Sequence, residues 1–172
     1  MKKYKGEREL NREMTDLFRP YGVTKMFLGN EYEIIWKNKK VEFTIEVRIE
    51  DVWFADFIKH KFGLVTDYPF ILSLFHEIGH LNTYDSIPDE VVSFDYDETI
   101  RITNEIDSLD VLDIEGRKKL VYDYFNLESE VAATKWAVRY VRKHPEEVEE
   151  LAKKVQTALM KFYEANDITD ED

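Results

Sequence analysis

Two histidines four residues apart, with a glutamate directly after the first, form the segment of the chain best suited to chemistry, His76-Glu77-Ile78-Gly79-His80. On an α-helix, residues four apart project from the same face, so His76 and His80 can bind a single zinc ion. Glu77 lies beside that face and can take a proton from a zinc-activated water as it attacks a carbonyl carbon. The spacing therefore predicts a zinc site for peptide hydrolysis, with Glu77 as general base.

A third protein ligand must come from elsewhere in the chain, because a catalytic zinc ion takes three and keeps one position for water. The extended pattern HExxHxxGxxH is excluded, since Thr83 and Ser86 stand where it needs glycine and histidine. His60 lies between lysines and His144 precedes a proline, so both are better explained as surface or capping residues. The chain has no cysteine, which leaves carboxylates.

Carboxylates occur in two suitable regions. The first is a predicted acidic surface loop over 84–97, which contains Asp85, Asp89, Glu90, Asp95 and Asp97. A flexible loop is a poor place to fix a metal ligand. The second is a predicted helix over 127–143, in which Glu130 shares one side with Ala133 and Ala137. Two alanines on that side allow close packing against the helix of the two histidines, so Glu130 is the favoured third ligand.

Two further residues of the same helix bear on this choice. Glu128 is the alternative third ligand, and it lies about 160° around the helix from Glu130. Thr134, one turn after Glu130, could offer its hydroxyl to a ligand histidine and so support the site. For stabilisation of a developing oxyanion, Tyr84 and Tyr140 are the candidate donors.

The elements that must position these residues follow from hydrophobic periodicity, turn residues and proline positions. Strands are predicted over 25–28, 31–36 and 41–49, the last with strict alternation of apolar and polar residues. Helices are predicted over 6–18, from Pro69 to about Asn82, and over 99–109, 114–124, 127–143 and 145–164. The stretch 52–62 is ambiguous between helix and strand, and residues 167–172 are expected to fray. The fold class is therefore α+β, with a small antiparallel sheet of two or three strands near the N-terminus packed on a helical majority.

Length and charge limit the possible functions. A chain of 172 residues fits one domain, here 1–172. Its net charge of −12 argues against binding to nucleic acid or to an anionic membrane surface. The apolar runs are too short to span a bilayer, and the basic N-terminus lacks the apolar stretch of a signal peptide. A cytoplasmic protein with a peptide or protein substrate is expected.

The two motifs together resemble the gluzincin metallopeptidases. His76 to His80, followed by Glu-x-x-Ala-x-x-Trp-Ala from Glu130 to Ala137, is similar to the ImmA/IrrE-type HExxH metallopeptidases. In that family the second helix tends to read Glu-x-x-Ala-Asn-x-Phe-Ala, so Thr134 replaces the usual asparagine. The resemblance implies a zincin-like fold, Glu130 as zinc ligand, and a sheet edge that pairs with extended substrate. It also implies that the substrate is a regulatory partner protein.

Two functions remain open on these grounds. The first is a zinc-dependent metalloendopeptidase, a hydrolase with Zn²⁺ as cofactor. The alternative is a zinc-binding but proteolytically inactive protein-interaction domain. The presence of Glu77 argues against this alternative, because a binding module needs no general base. Substrate identity and oligomeric state cannot be derived from the chain.

Overall fold

The structure is a computed structural model that describes residues 4–168. It divides into two compact units. The first combines the chain up to Glu46 with the chain from Val141 onward, and the second is Val47–Tyr140. Of the predicted frayed end, residues 169–172 lie outside the described part.

Helices dominate both units. They are α1 (Glu7–Phe18), α2 (Ile49–Phe62), α3 (Pro69–Thr83), α4 (Asp89–Ser108), α5 (Ile114–Phe125), α6 (Glu128–Lys143) and α7 (Pro145–Ala165). Apart from α4, which begins ten residues earlier than predicted, the bounds of the predicted helices are close to the observed ones. The ambiguous stretch 52–62 is helical, and Gly63 ends it with a positive φ of 67°. Pro69 opens α3 in the first turn, where its missing N–H leaves no intrahelical bond unmade. Within residues 4–168, the helices are too short or too polar to cross a membrane.

The first unit contains a three-stranded sheet whose arrangement corrects the prediction of a purely antiparallel one. Its strands are β1 (Lys25–Leu28), β2 (Glu33–Ile35) and β3 (Lys40–Phe43), in the order β1-β3-β2. The pairing of β1 with β3 is parallel, and that of β2 with β3 is antiparallel. The sheet is therefore mixed, with β3 in the centre.

The turn at Gly29-Asn30 explains why β1 and β2 are not a hairpin. The carboxylate of Glu42, on β3, accepts a hydrogen bond from Asn30 N at 2.6 Å, and the carbonyl of Phe43 accepts one from Gly29 N at 2.8 Å. The backbone donors after β1 are thus satisfied by the central strand. A side chain at Gly29 would overlap the Glu42 side chain, so Glu42 would have to move away from its hydrogen bond with Asn30 N.

The predicted strand 41–49 is wrong beyond Phe43. The alternation of apolar residues continues to Ile49, yet Val47 is 88% exposed and Ile49 begins α2. The partner strands explain this, because β1 pairs with β3 as far as Phe43 and β2 only as far as Glu42. A strand needs ladder partners as well as an amphipathic pattern.

The second unit consists of helices α2 to α5 and most of α6. Its apolar interior includes Phe57, Ile71, Leu72 and Phe75, all nearly inaccessible. The predicted acidic loop 84–97 is also wrong in its second half, because α4 begins at Asp89 and continues to Ser108. Pro88 immediately precedes the helix, and Asp89 and Glu90 fill its first turn, where carboxylates favour the helix dipole.

Candidate metal centre

Two helices of the second unit bring together the three predicted ligands. His76 and His80 project from α3 and Glu130 from the first turn of α6. His76 Nε2 lies 2.9 Å from Glu130 Oε2 and 3.2 Å from His80 Nε2, and His80 Nε2 lies 3.4 Å from Glu130 Oε2. His76 and Glu130 are buried, and the His80 side chain is 13% exposed. This group could hold a metal ion.

The spacing of the three atoms fits a tetrahedral metal. Ligand atoms about 2.0–2.1 Å from a tetrahedral zinc ion lie about 3.4 Å from one another. The three sides of the observed triangle are 2.9, 3.2 and 3.4 Å, so it needs to widen by only a few tenths of an ångström. Two imidazoles and one carboxylate, with no thiolate, are a ligand set that suits zinc and other first-row divalent ions.

The hydroxyl of Thr134 determines which nitrogen of His76 faces the other ligands. Thr134 Oγ1 donates its one proton to the backbone carbonyl of Glu130 at 2.9 Å, and it lies 3.0 Å from His76 Nδ1. The hydroxyl must therefore accept a hydrogen bond from His76 Nδ1–H. A neutral His76 then presents a lone pair on Nε2, which is the form that binds a metal.

This tautomer leaves two electron-rich atoms face to face, because His76 Nε2 is only 2.9 Å from the carboxylate of Glu130. Burial lowers the pKa of His76, which favours its neutral form. Two buried acceptors at that distance need positive charge between or beside them. A metal ion, which this group could hold, or a protonated neighbour would supply that charge.

In the metal-free cluster His80 carries that positive charge. Burial alone would lower the pKa of His80, but the Glu130 carboxylate outweighs it and raises the pKa to about 9, with a smaller contribution from Glu77. The pKa of Glu130 moves the other way. Burial would raise it, yet the positive charge of His80 outweighs burial and holds the pKa well below its usual range. Glu130 is thus ionised.

Close packing of α3 on α6 sets the distance between the histidines and the carboxylate. A Cβ added at Gly79 would overlap the carbonyl oxygen of Ala133 and lie 3.0 Å from its carbonyl carbon. Glycine on one helix and alanine on the other therefore let the backbones touch. The side of α6 predicted to be buried is buried throughout, including Ala133, Thr134 and Ala137.

Aromatic side chains support the cluster from behind. The ring of Phe54, on α2, meets the ring of His76 edge-on with centroids 5.0 Å apart. Phe54 in turn contacts Phe125, which also contacts Phe57. These apolar rings keep water from one side of His76 and restrict its rotation, as a fixed ligand requires.

Glu77, the predicted general base, follows His76 on α3. It is half-buried, while both of its neighbours in the chain are buried. Its negative charge makes a small contribution to the raised pKa of His80. It is not a member of the group that could hold a metal ion.

Asp95 is a further residue of the site's framework, one that sequence reasoning placed in a loop. It lies on α4, is 5% exposed, and its Oδ2 accepts a hydrogen bond from Ser129 N at 2.7 Å. Ser129 is the second residue of α6, so Asp95 caps the N-terminus of the helix that carries Glu130. The helix signal of Pro88 followed by two acidic residues could have identified α4.

The other sequence candidates are not members of the group that could hold a metal ion. Glu128 is exposed, and His60 is exposed on α2 with its Nδ1 2.8 Å from the carbonyl of Asp56. His144 precedes α7 in the first unit. The ring of Tyr140 stacks on Phe75 and Trp136, with centroids 5.3 Å away in each case, and Tyr84 is 45% exposed just after α3. Neither tyrosine is supported as the oxyanion donor by these contacts.

The chain matches no protein-family model, no curated protein and no solved structure. Its resemblance to the ImmA/IrrE-type metallopeptidases therefore stays a prediction from the two motifs. The geometry of the site carries the functional argument.

Proposed function

We propose that the protein is a zinc-dependent metalloendopeptidase of the gluzincin type. The observation that carries the proposal is the triangle of His76 Nε2, His80 Nε2 and Glu130 Oε2, together with Glu77 as the residue that follows His76 on α3. Core packing alone would not bring two imidazoles and a carboxylate together in an apolar interior, because burying them is costly. The favourable binding of a metal ion would offset the free-energy cost of burying these three polar groups.

Each residue then has a distinct task. His76, His80 and Glu130 would hold the ion, and Thr134 keeps the His76 lone pair directed at it. A zinc ion bound there would supply Lewis acidity that polarises a peptide carbonyl and lowers the pKa of water. Glu77 accepts the proton of the attacking water and passes it to the leaving amine, for which a half-buried carboxylate outside the ligand group is well suited.

Metal analysis combined with two carboxylate variants tests the ligand set. The purified protein should contain about one equivalent of zinc, and Glu130→Gln should lose it, since an amide oxygen is neutral and a weaker ligand. Glu128→Gln is the matched control and should retain it, because Glu128 is exposed and on another side of α6. Loss of zinc in both variants, or in neither, would contradict the assignment of Glu130.

A Glu77→Gln variant tests the reaction. It should keep its zinc and its fold, because Glu77 is outside the ligand group, but cleavage of a mixed-sequence peptide library should fall by at least about a hundredfold. Cleavage equal to wild type would exclude Glu77 as general base. Zinc binding without cleavage by the wild type would favour the proteolytically inactive interaction domain.

A further inference from the structure

A groove on the second unit lies between the first half of α4 and the turn from α5 into α6. Its volume is about 460 Å³. Val91, Phe94 and Leu127 supply apolar lining, and Glu90, Glu128 and Asp95 supply acidic lining. A concave apolar surface with a few charged groups is the usual form of a binding site.

The apolar part of the groove includes a large side chain left in contact with water. Phe94 is 61% exposed, while Leu127, opposite it, is 8% exposed. A single exposed phenylalanine is ordinary, but here it stands at the edge of a concavity that already has an apolar base. An apolar group placed in the groove would be covered on more than one side.

The charge around the groove is strongly one-sided. Between residues 85 and 115 the chain has eleven carboxylates and one basic residue, Arg101. That arginine is already paired within α4, with Glu98 at 2.8 Å and with Glu105. Near the groove, the ammonium of Lys61 is bound to the side-chain oxygen of Asn126 at 2.7 Å. With Glu90, Asp95 and Glu128 as the charged residues that line the groove, basic side chains of a partner would be attracted to it.

We propose that this groove binds a protein segment in which an apolar side chain is flanked by basic ones. The apolar side chain would pack against Phe94 and Leu127, and the basic ones would pair with Glu90 and Glu128 at its rim. Nucleic acid is repelled by this surface. A second copy of the same acidic face would be repelled as well, since like charges at an interface oppose association.

The groove is separate from the metal cluster. Glu128 and Glu130 lie about 160° apart around α6, so the side that faces the groove is not the side that carries the ligand. Binding in the groove therefore requires neither the metal nor Glu77. It would act as a docking site, whether or not the bound partner is also cleaved.

Binding of synthetic peptides tests the proposal without knowledge of the natural partner. The probes are a fluorescent peptide of alternating lysine and leucine pairs, the same peptide with glutamate for lysine, and one with serine for leucine. Fluorescence anisotropy with the full chain should show the lysine-leucine peptide binding on the order of tenfold or more tightly than either other peptide. Its affinity should fall as salt rises, because rim charges are screened.

Two variants locate the binding, and a third controls for net charge. Phe94→Ser and the double reversal Glu90→Lys with Glu128→Lys should each weaken the lysine-leucine peptide by about tenfold. The control is Glu149→Lys with Glu150→Lys on α7, which changes the net charge equally at two exposed sites of the first unit. Circular dichroism would check that every variant is folded.

The outcomes are separable from those of the proposed function. Glu77→Gln and chelator-treated protein should bind the peptide as the untreated wild type does, even if no proteolysis is ever observed. If the α7 control weakened peptide binding as much as the groove variants, net charge alone would explain the loss of affinity, and the docking site would be overturned. Unchanged binding by Phe94→Ser and by the groove reversal would overturn it too.

Discussion

The hydroxyl of Thr134 lies between two buried groups that must be satisfied at once. It donates to the carbonyl of Glu130 and accepts from Nδ1–H of His76. The two partners of the hydroxyl, His76 and Glu130, are both candidate metal ligands. The hydroxyl therefore links the orientation of the His76 ring on α3 to the backbone of α6, which carries Glu130. Residues in this position tune the affinity of a site without touching the metal.

A Thr134→Val substitution should therefore weaken metal binding. Valine has the shape of threonine but cannot accept from Nδ1–H, so neutral His76 loses the bond that keeps its Nε2 lone pair towards the site. We expect a zinc affinity about 10- to 100-fold lower, measured by competition with a chromophoric chelator. Thr134→Ser keeps the hydroxyl and should bind nearly as wild type. A serine variant as weak as the valine variant would show that packing of the methyl group matters instead.

That His76, His80 and Glu130 come together was predictable because the patterns that indicate it are local. His76 and His80 follow from helical spacing, and Glu130 follows from its place on a side of α6 with two alanines. The capping role of Asp95 was not predictable in the same way, since it depends on a contact with Ser129 across 34 residues of chain. Hydrophobic periodicity in the sequence predicts which side of a helix is buried. It does not predict which residues of two helices meet, because that depends on how the helices pack.

At the scale of elements, the touching backbones of α3 and α6 are the feature that determines the site. Gly79 is one residue before His80, and its contact Ala133 is three residues after Glu130. A change in the separation of the two helices therefore changes the separation of the ligands directly. The separation of the two helices therefore governs the geometry of the candidate metal site.

Gly79→Ala should push the two helices apart. The new Cβ would meet the backbone of Ala133, which cannot rotate away, so we expect a loss of about 1–3 kcal/mol in the free energy of unfolding. Zinc affinity should fall in parallel. Gly116→Ala on α5 is the control: its Cβ would meet only the side chain of Asp113, which can move although it would weaken its cap bond from Gly116 N, so a smaller loss is expected. The free energy of unfolding would be measured with urea. An equal loss in both variants would argue against the backbone contact as the cause.

Asp95 links α4 to the start of α6, and its removal should loosen that link. Asp95→Ala leaves Ser129 N without its partner in a buried position, which should destabilise the protein by roughly 1–2 kcal/mol in chemical denaturation. Asp95→Asn retains an acceptor oxygen and should lose less. Asp97→Ala, an exposed position on the same helix, should change stability by less than about 0.5 kcal/mol. A loss as large for Asp97→Ala would remove the capping explanation.

The elements that sequence reasoning misjudged share one cause. The strand predicted over 41–49 and the loop predicted over 84–97 were both inferred from composition and local pattern. Where the strand ends depends on β1 and β2, which provide no pairing beyond Phe43. The residues of α4 read as a loop because so many are charged, yet the helix buries little beyond Asp95 and Ile102. A helix that needs few apolar contacts leaves a weak hydrophobic signal.

At the scale of the whole molecule, all three candidate metal ligands and Glu77 belong to one compact unit, Val47–Tyr140. A metal that binds only the folded form stabilises it by about 2.7 kcal/mol at a hundred times its dissociation constant. The amides that gain protection are those whose exchange requires opening of the ligand-bearing helices. We expect them to lie in the second unit.

Hydrogen–deuterium exchange with and without zinc measures this distribution. Peptides covering α3 and the first turns of α6 should exchange more slowly when zinc is present, because opening either helix breaks the ligand set. Peptides covering α1 and the three strands carry no ligand and should change little. Glu130→Gln should abolish the difference, which ties it to the metal. Equal slowing of exchange in α1 and α3 would contradict this expectation. It would mean that zinc reduces global unfolding of the whole chain and not local opening of the second unit.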